Sequence, residues 1–209
     1  MSLLEIIENV TRKIAPGPTP SFNEAHVVKT LELIGNYNNV GRIRLSKELG
    51  LGEGTTRTLL KHLKTEGLTQ SSRSGISFTE TGKKLFSELK SKLSQGIEVP
   101  SSPLTLGSFN IAVLVRNSAK AVGSGMEQRD TAIKSGASGA TTLIFSSNKL
   151  SLPTAEENIS RSMPDLHDRL VSQFMPKEND VIIVGCGENR AAAEIGAKMA
   201  AIKLLKNRA

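Results

Sequence analysis

The chain of 209 residues holds little of what metal, redox and nucleophilic chemistry requires: one cysteine, Cys186, and three histidines, His26, His62 and His167, none near it in sequence. A single thiol excludes an internal disulfide framework and fits a reducing compartment. So few His and Cys give no metal-ligand spacing, so Cys186 is expected to be a small buried residue and no metal site is expected. No Ser/His/Asp order, paired-carboxylate signature or P-loop is present, which leaves no positive case for catalysis or a cofactor. No apolar run approaches the roughly 20 residues of a membrane helix. The opening MSLLEIIENV carries acidic groups where a signal peptide would carry basic ones. A soluble, cytoplasmic protein without a membrane partner is expected.

What is present is an uneven excess of positive charge. Residues 1–96 hold 14 Lys and Arg against nine Glu, a net +5, whereas residues 97–209 hold 13 against 11, a net +2. The length suggests two domains, and the first is the more basic.

The most informative stretch is residues 49–82, LGLGEGTTRTLLKHLKTEGLTQSSRSGISFTETG. It reads as a recognition helix, a β-hairpin wing and the start of a closing helix. Before it, Arg42 to Leu49 forms a helix with Leu45 and Leu49 inward, ended by Gly50 in a left-handed conformation. Leu51 is the apolar plug of the turn, and Glu53 suits the next N-terminus. On the recognition helix Thr56, Leu60 and Leu63 are expected on the core face, leaving Thr55, Arg57, Thr58, Lys61 and Lys64 outward. Arg42 and Arg44 from the preceding helix, with Ser72 and Arg73 from the wing tip, complete the candidate contacts to double-stranded DNA, a helix for the major groove and a wing for phosphate or the minor groove. Gly54, in the first turn, suggests a close backbone approach to the second helix or to a phosphate.

Around this core, residues 2–14 form a short amphipathic helix on Leu3, Ile7, Val10 and Ile14, with Ser2 and Glu5 as a capping box, that packs on its own domain or pairs in a homodimer. The prolines of residues 16–20, PGPTP, stop it. Ser21 and Glu24 form a second capping-box pattern before a helix on Val27, Leu31 and Ile34. Thr79 caps the closing helix, whose core face is Leu85, Phe86, Leu89 and Leu93. A winged helix-turn-helix over 21–95 results, and residues 96–107, rich in Pro and Ser with no helical period, are expected to be a linker.

Residues 108–209 give the order β-α-β-β-α-β-α: strands at Phe109–Val115, 140–146, Lys149–Leu152 and Val181–Val184, helices near 126–135, Pro164–Phe174 and Asn189–Lys206. This order predicts a two-layer α/β sandwich, a mixed sheet with helices on one face, with a small three-layer parallel fold as competitor. The overall class is α+β. VIIVGCGENR at 181–190 resembles a dinucleotide-binding turn, but Arg190 stands at the third glycine position and too little chain follows for the βαβ unit. Gly185, Gly187, Asn189 and Arg190 remain candidates for holding a small anionic effector, with a tight strand-to-helix turn as the plain alternative. Gln128 and Arg129, in the Gly-punctuated stretch 121–143, are candidates for an effector pocket, against an ordinary exposed Asp130/Lys134 pair.

GPTPSF at 17–22, the 49–68 run, FTETG at 78–82 and EQRDTAIKSGASGATTL at 127–143 together resemble a group of archaeal winged-helix proteins described as transcriptional regulators, whose C-terminal domain has no assigned function. The resemblance implies a C-terminal α/β domain similar to the insert domain of some bacterial aminoacyl-tRNA synthetases, and carries over no ligand or catalytic residue. The combined expectation is a non-enzymatic, homodimeric DNA-binding regulator, residues 21–95 contacting DNA and the C-terminal domain sensing a ligand or mediating assembly. An RNA-associated or translation-linked module and a small enzyme with an accessory winged helix are the alternatives.

Overall fold

A computed structural model describes residues 1–12, 20–154 and 158–208; the places expected for Ile14 and for most of the Pro-rich stop lie outside the described residues. The chain divides into two compact units, Met1–Lys90 and Ser91–Ala209, the boundary falling within a helix.

In the first unit, α1 (Leu3–Thr11) starts on the Ser2/Glu5 capping box and buries Leu3, Ile7 and Val10 against α2 (Glu24–Tyr37) and α4 (Glu53–Thr65). Each such side chain stabilises by about 2 kcal/mol before ordering costs. His62 of α4 donates from Nδ1 to the Val10 carbonyl at 2.7 Å and meets Phe22 edge-on. α1 therefore packs on its own domain. The cap of α2 is Asn23 with His26, in place of the expected Ser21 and Glu24: Asn23 takes the extended cap backbone, its Oδ1 accepts from the His26 N–H, and the helix starts correspondingly later.

α3 (Arg42–Leu49) ends at Gly50 with φ 67°. β1 (Thr69–Ser72) and β2 (Gly75–Phe78) form the hairpin, and Thr79 caps α5 (Glu80–Lys92) by accepting from the Gly82 N–H. Val40, just before α3, exchanges two backbone hydrogen bonds with Ile76, so the wing is pinned to the helix-turn-helix. The core face of α4 carries Thr56, Leu59, His62 and Leu63, whereas Leu60 is only half-buried. Leu60 lies off the expected core face, because α1 extends the packed surface round to His62 and shifts the buried stripe. Phe86 is likewise only half-buried.

The second unit is a five-stranded sheet ordered β3-β4-β7-β5-β6, from β3 (Ile97–Glu98), β4 (Phe109–Val115), β5 (Gly139–Ser146), β6 (Lys149–Ser151) and β7 (Asp180–Gly187). Every neighbouring pair is antiparallel, not mixed. β4 and β5 do run parallel to one another through the crossover helix α6 (Met126–Lys134), but β7 is inserted between them. Ile97–Glu98 pairs with β4, so part of the expected linker is an edge strand.

α6 and α9 (Arg190–Asn207) form a layer on one face of the sheet. The expectation of helices on one face alone fails, because two further helices cover the opposite face of the sheet. On the alternate strand positions Ala112, Leu114, Leu143, Phe145, Ile182, Val184 and Cys186 share a core with Ile159 of α7 (Ile159–Ser162) and Leu166, Leu170 and Phe174 of α8 (Pro164–Phe174). Strands apolar on both sides require this second cover.

Candidate nucleic-acid interface

Between α4 and the hairpin lies a cleft of about 410 Å³, lined by Arg42, Arg57, Lys61 and Lys64, by the hydroxyls of Ser71 and Ser72, and by a floor of Leu60 and Ile76. The α-helical period places Arg57, Lys61 and Lys64 on successive turns of one face. On the other face Thr56, Leu59 and Leu63 anchor the helix. The opposite wall is held in place by the Val40–Ile76 pairing. No acidic side chain lines the cleft. Four cations over an apolar floor, with hydroxyl donors on the far side, form a surface suited to phosphate oxygens.

Of the residues expected to contact DNA, Arg42, Arg57, Lys61, Lys64 and Ser72 thus come together in one cleft. Ser72 Oγ is drawn into the turn, 2.7 Å from Ser74 Oγ and 3.3 Å from the Gly75 carbonyl. Arg73 stands exposed at the hairpin tip, outside the cleft lining. Arg44 is elsewhere: its guanidinium carbon sits 3.7 Å from the centre of the Tyr37 ring. Thr55 is half-buried, and Thr58 Oγ1 donates to the Gly54 carbonyl at 3.1 Å. A Cβ at Gly54 would meet nothing within 4 Å, so the close approach to the second helix is not there. Leu60, Ser71, Gly75 and Ile76 complete the cleft and were not anticipated; the amphipathic pattern assigns a leucine between cations to the core.

The C-terminal candidates fall into two groups. Asn189 Oδ1 caps α9 by accepting from the Ala192 N–H at 2.9 Å, and Arg190 is exposed beside it. Gly185 and Gly187 face α9, where added Cβ atoms would come within 2.7 Å of the Ala197 and Ala193 nitrogens respectively. Close strand-to-helix packing accounts for both. Arg129 is exposed on α6, while Gln128 is 1% exposed and neither of its amide atoms has a hydrogen-bond partner. Glu127 is paired with Lys203 and Asn207, whose hydrogen bonds hold its carboxyl below the ordinary range. Cys186 is buried, and burial pushes its thiol pKa up against the opposing pull of the Leu106 and Gly107 amides. Among the described residues no cluster of His, Cys, Asp and Glu has the makings of a metal site.

Comparison with known proteins separates the two halves in the same way. Residues 26–93 match the family described as the CggR N-terminal DNA binding domain, and residues 106–204 match a family described as a domain of unknown function, DUF4443. A solved structure of a hypothetical protein from Pyrococcus horikoshii OT3 is similar with a TM-score of 0.73 at 27% identity, over 89% of this chain and 94% of that one. No curated protein matches. The chain joins an N-terminal DNA-binding domain to a C-terminal domain of unknown function, and no helix among the described residues is long and apolar enough to cross a membrane.

Proposed function

We propose that the protein is a sequence-specific, duplex-DNA-binding transcriptional regulator acting in the cytoplasm as a homodimer. The observation that carries this reading is the α4–hairpin cleft, where Arg42, Arg57, Lys61 and Lys64 converge without an acidic neighbour in the lining. The match of residues 26–93 to a DNA-binding domain supports it. In this reading α4 enters the major groove with Arg57 at base edges, Lys61 and Lys64 take phosphates, and Arg73 reaches the backbone beyond the wing. One such module makes few base contacts, and two copies double the phosphate contacts and define two half-sites, which is the argument for a dimer. The C-terminal unit then serves as a non-catalytic sensor or assembly domain, with an anionic effector held near Arg129 or near Arg190.

Selection of bound sequences from a random duplex pool, followed by competition with structured RNA at equal salt, tests this function. Enrichment of a two-part motif that RNA does not displace is expected. Displacement by RNA at matched concentration would instead assign the cleft to RNA.

A further inference from the structure

A second cleft in the first unit lies on the other side of the hairpin. Its volume is about 510 Å³, within the range of about 300 to 1,000 Å³ usual for small-molecule sites. Successive rungs of the hairpin alternate in the face they present. The Ser71–Ile76 rung therefore belongs to the cationic cleft, and the Gln70–Ser77 rung to this one.

Aromatic residues make up only 3% of the sequence, yet two of its six phenylalanines meet here. Phe78 and Phe86 have ring centres 5.3 Å apart and planes inclined at 32°. Both are half-buried, while Ile34, which lines the same cleft, is buried. The Phe86 ring lies against α2 where a side chain at Gly35 would overlap it, and both rings line the cleft. Lys90 Nζ sits 5.7 Å from the centre of the Phe86 ring, and Lys83 lines the same cleft, ion-paired with exposed Glu80 at 2.7 Å. Asn38, Gln70 and Ser77 add amide and hydroxyl groups, and no acidic side chain lines the site.

An apolar aromatic platform, cations beside it and a polar wall complement one kind of molecule. We propose that this cleft binds a small ligand that combines a planar ring with an anionic group, the ring stacking on Phe78 and Phe86 and the anion meeting Lys90. The site is distinct from the DNA-facing cleft and stands or falls independently of it.

The test is calorimetric titration of the full-length chain with adenosine monophosphate and with phenylacetate, which share the ring-plus-anion chemistry but differ in its source. Inorganic phosphate and benzyl alcohol supply each half alone. Saturable binding of at least one ring-bearing anion is expected, with each half alone weaker by about tenfold or more. Lys90→Gln and Phe86→Leu should each weaken it by about tenfold, and Arg57→Ala should leave it unchanged. Phe86→Leu changes a packed ring, whereas Lys90 is exposed and its replacement leaves the fold intact. The proposal is overturned if neither probe saturates, if phosphate alone binds as tightly, or if Lys90→Gln binds like the parent. Binding of a single-stranded oligonucleotide through Lys90, without binding of the mononucleotide, would overturn it in favour of a nucleic-acid strand.

Discussion

Charge removal in the α4–hairpin cleft should change the salt dependence of DNA binding by a calculable amount. Each phosphate neutralised by a lysine contributes about −0.9 to the slope of log affinity against log salt. Lys61 and Lys64 both line the cleft, so replacing both with alanine should make the slope shallower by about 1.8. Between 50 and 200 mM salt the parent should then lose about 12-fold more affinity than the double variant, and about 3.5-fold more than either single variant. Arg57→Ala should behave differently, costing about 1 to 3 kcal/mol on the preferred sequence and relaxing specificity. Arg44→Ala is the internal control, because its guanidinium is stacked on Tyr37 outside the cleft, and its slope should match the parent. Fluorescence anisotropy of labelled specific and random duplexes at four salt concentrations reads all of these. Parallel slopes for the parent and the double lysine variant, or flattening by Arg44→Ala equal to that by Lys61→Ala, would refute the assignment of the cleft to phosphates.

Two further outcomes concern stability. His26 accepts the Asn23 N–H at Nδ1, and its pKa is lowered from 6.5 to about 4 by burial and then by Lys29. The neutral ring is the folded form, so its contribution is complete above about pH 6.5 and is lost as pH falls towards 4. Discounted for partial exposure, the loss is about 2 kcal/mol. His26→Gln should remove that slope in urea titrations at pH 7.5 and 4.5, and identical pH profiles would contradict it. At Gly82 a Cβ would overlap the Leu68 carbonyl oxygen, whereas at Gly54 it would meet nothing, so Gly82→Ala should destabilise by about 2 kcal/mol and Gly54→Ala should stabilise by about 1 kcal/mol. Equal effects in thermal melts would show that the backbone at Gly82 yields.

The winged domain was legible because its signals are local. Gly50 and Thr79 mark helix ends by their own chemistry, and Arg57, Lys61 and Lys64 show one face by period alone. What failed depended on partners distant in sequence. His62, unassigned by the periodicity, joins the buried face of α4 beside α1 while Leu60 turns to the cleft, and Ile76 joins the cleft because Val40 pairs with it. The Ser21/Glu24 pattern lost to Asn23/His26, an equally good cap two residues on. In the second unit four of the five strands were readable but their order was not: β7 enters between β4 and β5, which turns a mixed sheet into an antiparallel one. Nothing local distinguishes a core phenylalanine from Phe86, whose ring fits against α2 only because Gly35, on another helix, has no side chain.

The effector candidates of the second unit separate by the same kind of reasoning. α9 has 18 residues and so spans about 27 Å. Arg190 begins it, while Glu127, two residues before Arg129, is bonded to Asn207 at its far end. Arg129 and Arg190 therefore cannot hold one small ligand. At the α9 start Asn189 already occupies the helix N-terminus, and the glycines there serve packing. At the α6 start Gly125 provides no side-chain cap, and Gln128 is buried with its amide unpartnered by the protein. An unpaired buried amide costs about 1 to 3 kcal/mol, more than a thioether of similar size would in its place. Gln128→Met should therefore raise the unfolding free energy of the full chain in urea by about 1 kcal/mol. Destabilisation by that substitution would show that the Gln128 amide is paired in solution, and would return it to the set of groups that hold something at the start of α6.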